Sequence, residues 1–259
     1  MSSLKIFTIL LVIICLLIFT FNKIDNFTNT NTNTNTILGG INTNTDANTI
    51  YYIDTELDSS NIVTIDYPYT NSKQVIINNN KLYVLNTNND LYCSDNYLQP
   101  KPFFILKNIS TFSVDNNIII YTTPLSKTNF DTNNVYYKDY TNTKSGQLPF
   151  TATNVSISNE RLCCIYDNKL KYYPNYKNEK SITMREDITN AVIYNDIIAC
   201  ITNTNKIYYT VINNNINSIK WTNVSTELSF TNITIINNKL YGITNTGSIW
   251  QYISNIPIN

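Results

Sequence analysis

The feature that most constrains this chain is that it copies itself. Thr189–Val211 (TNAVIYNDIIACITNTNKIYYTV) aligns without a gap on Thr231–Ile253 (TNITIINNKLYGITNTGSIWQYI). A third copy begins at Thr153, a fourth at Val75, and a fifth near Phe112 that resumes at Val135 after an insertion. Leu82, Ile119, Leu162, Ile198 and Leu240 hold the same place in their copies, about 40 residues apart, which is the period of four-stranded propeller blades. Units of this kind bury their apolar faces by stacking on one another, so the copies predict a single repeat-built domain.

The inside of one unit says what is being repeated. Ile233 and Ile235 alternate with Thr234 as a half-buried strand does. Asn237-Asn238 makes a tight hairpin of the type that needs positive φ. Leu240–Ile243 is a second strand, Asn245-Thr246-Gly247 turns the chain, and Ile249–Ile253 is a third. In the preceding unit Ile219–Val224 supplies a fourth, so each unit is a meander of short strands. Composition agrees: Asn is roughly one residue in six, against a far lower ordinary usage, while Gly occurs only 5 times. AT-rich coding also favours Asn, but here Asn falls at the turns, where it tolerates left-handed backbone. Residues 50–67 match 207–224 in spacing, a third strand followed by a fourth. Ile62–Tyr67 is therefore expected to supply the outer strand that the last unit lacks, closing a ring with protected edges. The expectation is an all-β, five-bladed β-propeller over residues 50–259, with a six-bladed ring as the alternative.

Two segments precede the repeats. Ile6–Phe21 is a nearly unbroken apolar run between Lys5 and Lys23. With Leu4 and flanking side chains that can snorkel, residues 4–22 approach the length of a membrane-spanning helix. No small-x-small site follows the run, which favours an uncleaved signal anchor over residues 1–22 rather than a cleaved signal peptide. Lys5 ahead of the run, with Lys23 offset by Asp25 behind it, keeps the N-terminus cytosolic and sends the propeller to the extracytoplasmic or lumenal side. Residues 23–49, with the strict Asn-Thr alternation of Thr28–Thr36, read as a disordered spacer. On that side of the membrane Asn108, Asn154, Asn223 and Asn232 (and Asn26 in the spacer) begin N-x-S/T acceptors for glycosylation.

The chain contains no His, so Ser-His and Cys-His nucleophile pairs, His-ligated zinc and an imidazole base are all ruled out. Cys15 sits in the apolar run; Cys93, Cys163, Cys164 and Cys200 sit in expected strands with no C-x-x-C spacing, and read as small buried side chains rather than metal ligands. Cys164, Cys200 and Gly242 align, marking a crowded site that takes only small residues. Eighteen basic residues balance 18 acidic ones, so there is no basic field and the electrostatic term for nucleic-acid binding is small. No metal or cofactor is implied. Carboxylates at turns, Asp90, Asp115, Glu160, Asp167 and Asp196, are the available catalytic groups, and Asp115, Glu160 and Asp196 fall near the first hairpin of successive units. Solvated turn carboxylates are the commoner case.

Trp221, Val224, Leu240, Tyr241, Gly242, Asn245, Gly247, Ile249 and Trp250 together resemble the tectonin-type β-propeller repeat: a Trp-led outer strand, an inner strand, then L-Y-G-I-T-N-T-G-S-I-W. Only the last unit shows the pattern in full; elsewhere the outer Trp is replaced, as at Phe103 or Ile182. In composition the chain also resembles proteins of large DNA viruses and AT-rich protists. The tectonin resemblance implies a lectin-like recognition module, with Trp221 and Trp250 as binding residues; repetition of the Trp250 position as Tyr92 and Tyr209 argues instead for packing. The expected function is thus a membrane-anchored, non-enzymatic module that binds glycan or protein. The alternatives are a glycoside-active enzyme using rim carboxylates and a structural virion or surface component.

Overall fold

A computed structural model describes the backbone of 38–41, 49–53 and 62–66, and residues 72–124, 133–140, 143–178, 180–212, 219–224, 226, 228–244 and 251–257. The segment read as the membrane anchor, most of the spacer, Cys15, Asn26 and Trp250 lie outside the described residues.

The five repeats fold as five consecutive antiparallel sheets, the blades of an all-β, five-bladed β-propeller. The first holds β4 (Ser72–Asn78), β5 (Lys81–Asn86), β6 (Leu91–Ser94) and β7 (Phe103–Leu106). The second holds β8 (Thr111–Asp115), β9 (Ile118–Thr122), β10 (Asn134–Asp139) and β11 (Lys144–Thr151). The third holds β12 (Asn154–Ser158), β13 (Arg161–Tyr166), β14 (Lys169–Tyr173) and β15 (Ile182–Arg185). The fourth holds β16 (Ile188–Tyr194), β17 (Ile197–Thr202), β18 (Ile207–Val211) and β19 (Thr222–Val224). The fifth holds three described strands, β20 (Phe230–Ile236), β21 (Lys239–Thr244) and β22 (Gln251–Asn255).

A further three-stranded sheet precedes them: β1 (Leu38–Ile41), β2 (Thr49–Ile53) and β3 (Ile62–Asp66). Its first strand lies against β4, just as β8 lies against β12, β12 against β16 and β16 against β20. The described residues thus hold six sheets, of which five are repeats. This corrects two expectations. Ile62–Asp66 does not close the last blade; it pairs in register with Thr49–Ile53, from Thr49↔Asp66 to Ile53↔Ile62. A strand finds its sequence neighbour across a short connection at far lower loop-closure cost than a partner near the far end of the chain. Strand pairing also begins at Leu38, inside the range read as spacer, because Ile37-Leu38 and Ile41 interrupt the Asn-Thr pattern with apolar residues.

The hairpins are built on asparagine. Among the described residues, no glycine has positive φ, whereas Asn79, Asn80, Asn89, Asn108, Asn116, Asn159, Asn168, Asn195, Asn205, Asn237 and Asn238 do. Asn does here what Gly usually does, because its short polar side chain makes the left-handed region tolerable. Thr143, Asp167, Asp187 and Glu160 are the non-Asn residues there, and Glu160, with the longest side chain of the four, is held at φ 61° where the fifth blade has Asn238. Glu160→Asn should therefore stabilise the protein by about 0.5–1 kcal/mol, read as a higher urea midpoint, since a long side chain is costly in that conformation.

The core lies between blades. Tyr83, Leu85 and Leu91 of the first pack on Ile109, Phe112 and Ile119 of the second. Cys163, Leu170 and Tyr172 of the third pack on Ala191, Ile193 and Ile198 of the fourth. Middle strands are covered on both faces, which is why Ile197–Thr202 is buried along its whole length and shows no alternation.

The first strands of the second, third and fourth blades have an unpaired edge, and side chains of the preceding blade occupy it. Ser113 Oγ accepts from the Ile157 N–H (3.1 Å), Ser156 Oγ from the Ile193 N–H (3.0 Å) and Ser158 Oγ from the Asn195 N–H (2.9 Å). Gln74 does both jobs at once, accepting from the Phe112 N–H (3.3 Å) and donating to the Phe112 carbonyl (2.7 Å). Buried backbone donors need such partners, and these bonds fix the register of one blade against the next.

Candidate functional site

Two places gather side chains with chemical potential. The first is the rim formed by the opening hairpin of each blade. In all five blades a residue one to three positions after the third strand donates its N–H to the carbonyl of the second turn residue: Tyr97 to Asn80, Tyr140 to Asn117, Tyr176 to Glu160, Ile212 to Asp196 and Ile256 to Asn238, at 2.6–3.0 Å. The turns also reach sideways. Asn79 Nδ2 donates to Asn116 Oδ1 (3.3 Å), and Asn159 Nδ2 to Asn195 Oδ1 (2.8 Å).

This rim carries three of the five carboxylates singled out in the sequence, Asp115, Glu160 and Asp196; Asp90 and Asp167 sit at second hairpins, at the opposite strand ends. Each rim carboxylate is engaged. Asp115 accepts the backbone N–H groups of Asn159 and Glu160 in the next blade. Glu160 Oε2 accepts from Asn175 Nδ2 (3.1 Å). Asp196 is ion-paired with Arg161, whose guanidinium also donates to the Asn195 carbonyl (3.3 Å). Burial pushes the Asp115 carboxyl up, the two N–H donors pull against that, and the Glu160 charge adds to the rise.

A carboxyl raised on folding binds its proton more tightly folded than unfolded. Stability from Asp115 is then present at low pH and lost as pH rises through the raised value. Asp115→Asn keeps an oxygen for the two N–H donors and removes the titration. Melting curves of variant and parent should run together at acid pH and separate in the variant's favour above about pH 4.

The four described thiols are buried. Burial raises Cys93 to about 11, Cys164 and Cys200 to about 12, and Cys163 well above its ordinary value. Among the described residues no group of His, Cys, Asp or Glu is placed to hold a metal ion. Cys164, Cys200 and Gly242 do occupy one crowded position: a Cβ at Gly242 would run into the Phe230 ring and come within 2.9 Å of Ile253.

The second place is the outer seam between the third and fourth blades, where Trp221 lies half-buried just before β19. Trp221, Tyr208, Met184 and Ile182 pack on the apolar cluster between these blades. The Arg185 guanidinium carbon stands 3.6 Å from the Tyr208 ring centroid and 5.5 Å from that of Trp221. Arg185 reaches this side through a β-bulge. It pairs with Leu170 while Thr183 pairs with Lys171, so Met184 is an extra residue and the side chain after it is re-aimed. Sequence reasoning found Trp221 and missed Arg185 and Tyr208, since no motif marks them. The one clue is that Arg185 stands where the first blade has Leu106, which pairs with Leu91 at the same kind of bulge.

The four sequons scatter. Asn108 is exposed in the turn after β7, Asn154 is half-buried at the start of β12, and Asn223 and Asn232 are exposed on β19 and β20.

No protein-family model and no curated protein matches the chain by sequence. Its fold is similar to a chain of the nidogen/laminin complex (TM-score 0.59, 11% identity, 81% of this chain and 85% of that one). It is also similar to the RRP9 WD40 repeats (TM-score 0.53, 7% identity, 81% and 69%). BamB from Moraxella catarrhalis gives a TM-score of 0.48 at 11% identity over 83% of this chain and 81% of that one. At such identities the first two likenesses show the β-propeller fold and nothing about a ligand.

Proposed function

We propose that this chain is a membrane-anchored, non-enzymatic recognition module that binds glycan or protein through a tectonin-like propeller displayed on the extracytoplasmic or lumenal side. The observation that carries this reading is the state of the rim. Asp115, Glu160 and Asp196 are each bound to a neighbouring group, so none is left as a free acid or base facing a substrate. What the rim and the seams between blades offer is amides, hydroxyls and aromatic rings on a β-sheet scaffold, the makings of a binding surface. The rival is a glycoside-active enzyme, and the observation in its favour is the raised Asp115 beside Glu160, since carboxyls with different affinities for protons can divide acid and base roles.

The test is to apply the full chain in detergent micelles to a glycan array, alongside alkaline extraction of membranes from expressing cells. Retention on a defined subset of glycans and resistance to extraction are expected. A folded chain that binds no glycan and no protein ligand, or one that alkali releases, would overturn the corresponding half of the proposal.

A further inference from the structure

We propose that the Arg185–Tyr208–Trp221 stack at the seam between the third and fourth blades is a binding site for a carboxylate-bearing sugar, with Arg185 recognising the carboxylate and Trp221 supporting the sugar ring. This rests on the glycan form of the recognition reading and names the ligand class and the place.

The chain has only two arginines, and their situations differ. Arg161 is ion-paired with Asp196. Among the described residues Arg185 has no ion pair and no hydrogen bond; its contacts are the faces of Tyr208 and Trp221. Its neighbour Glu186 is taken by Lys169 (3.5 Å), and Asp187 belongs to the turn beyond. Packing does not call for a cation here, because the equivalent Leu106 of the first blade is simply part of the apolar cluster. A guanidinium held by its faces keeps its in-plane N–H fork free, and that fork matches a carboxylate in two-point geometry. Stacking also fixes the side chain before a ligand arrives, which lowers the ordering cost of binding.

The surroundings favour a sugar over a peptide. Lys220 is exposed next to Trp221 in the chain and adds a second positive charge to that of Arg185. Exposed Asn223 pairs with Tyr208 and so stands on the face of β19 turned toward the third blade, where it adds an amide beside the aromatic rings, a combination suited to a ring with hydroxyl edges. The outer strand β19 is three residues long, too short to template an added peptide strand.

The experiment uses the full chain in detergent and titration calorimetry with three probe sets. These are oligosaccharides ending in glucuronic or N-acetylneuraminic acid, their methyl esters with neutral counterparts, and an oligoglutamate peptide. Arg185→Met is the main variant, since an aliphatic side chain suits the position as Leu106 does; its melting temperature checks the fold. Arg185→Lys and Trp221→Phe accompany it. Acidic glycans should bind, their methyl esters should not, and Arg185→Met should weaken binding at least tenfold with the melting temperature kept. Arg185→Lys should fall between, having lost the two-point fork. Acidic-glycan binding unchanged in Arg185→Met, or preference for the oligoglutamate, would overturn the site. Neutral-glycan binding indifferent to Arg185 would overturn it while leaving the recognition reading intact; binding of no glycan would overturn both.

Discussion

Phe112→Ala should cost about 3–5 kcal/mol, the largest loss expected from a single truncation in this domain. Phe112 is fully buried, and it fills the interface between the first and second blades with Tyr83, Leu85 and Leu91. Its backbone is clamped by Gln74 from the first blade, so the chain around it has little freedom to collapse into the space left behind. Val75 and Val155 hold the same repeat position, and Phe112→Val should therefore cost much less than Phe112→Ala. Urea unfolding followed by far-ultraviolet circular dichroism would read the difference. A loss below about 1 kcal/mol for the Ala variant would mean that this interface is not packed as described.

Gly242→Cys should destabilise by about 1–3 kcal/mol or more, although Cys is what two other repeats carry there. An added Cβ meets the Phe230 ring, which lies inside the core between the fourth and fifth blades. The repeats explain why Cys fits elsewhere. The residue equivalent to Phe230 is Ala152 in the third blade and Ile188 in the fourth, facing Cys164 and Cys200. Volume is traded between the two positions: the largest ring stands opposite the glycine. Phe230→Ala combined with Gly242→Cys should thus be more stable than the sum of the two single changes predicts, a coupling that a double-mutant cycle measures directly. Strict additivity would contradict the trade.

Much of this was legible in the residues, and the reason is local. Asn237-Asn238 and Asn79-Asn80 announce hairpins because backbone conformation at a turn depends on the residues in the turn itself, and both pairs do take positive φ. The five repeat copies, one pair of them gapless, likewise located the blades from β4 onward. What the sequence did not yield depends on pairing at a distance. Ile62–Asp66 had an equally good apolar pattern for two partners, and only the folded chain distinguishes the near one from the far one. The serine bonds between blades were hidden because Ser113 and Ser156 look like ordinary polar positions on a half-buried strand. Arg185 was invisible for a related reason: by simple alternation it points away from Tyr208, and the extra residue Met184 turns it back. At the rim, Asp115, Glu160 and Asp196 were placed on first hairpins, but that Asp115 meets the next blade, Glu160 its own Asn175 and Asp196 the preceding blade's Arg161 could be read only from the folded chain.

The central claim is that this propeller binds and does not cleave. The direct measurement is to incubate the full chain with the glycans it retains, across pH 4–7, and follow bound ligand and new reducing ends in the same samples. The account predicts retention with no reducing ends released at any pH, unchanged by Asp115→Asn or Glu160→Gln. Release of reducing ends that either substitution abolishes would contradict it and make the rim an active site.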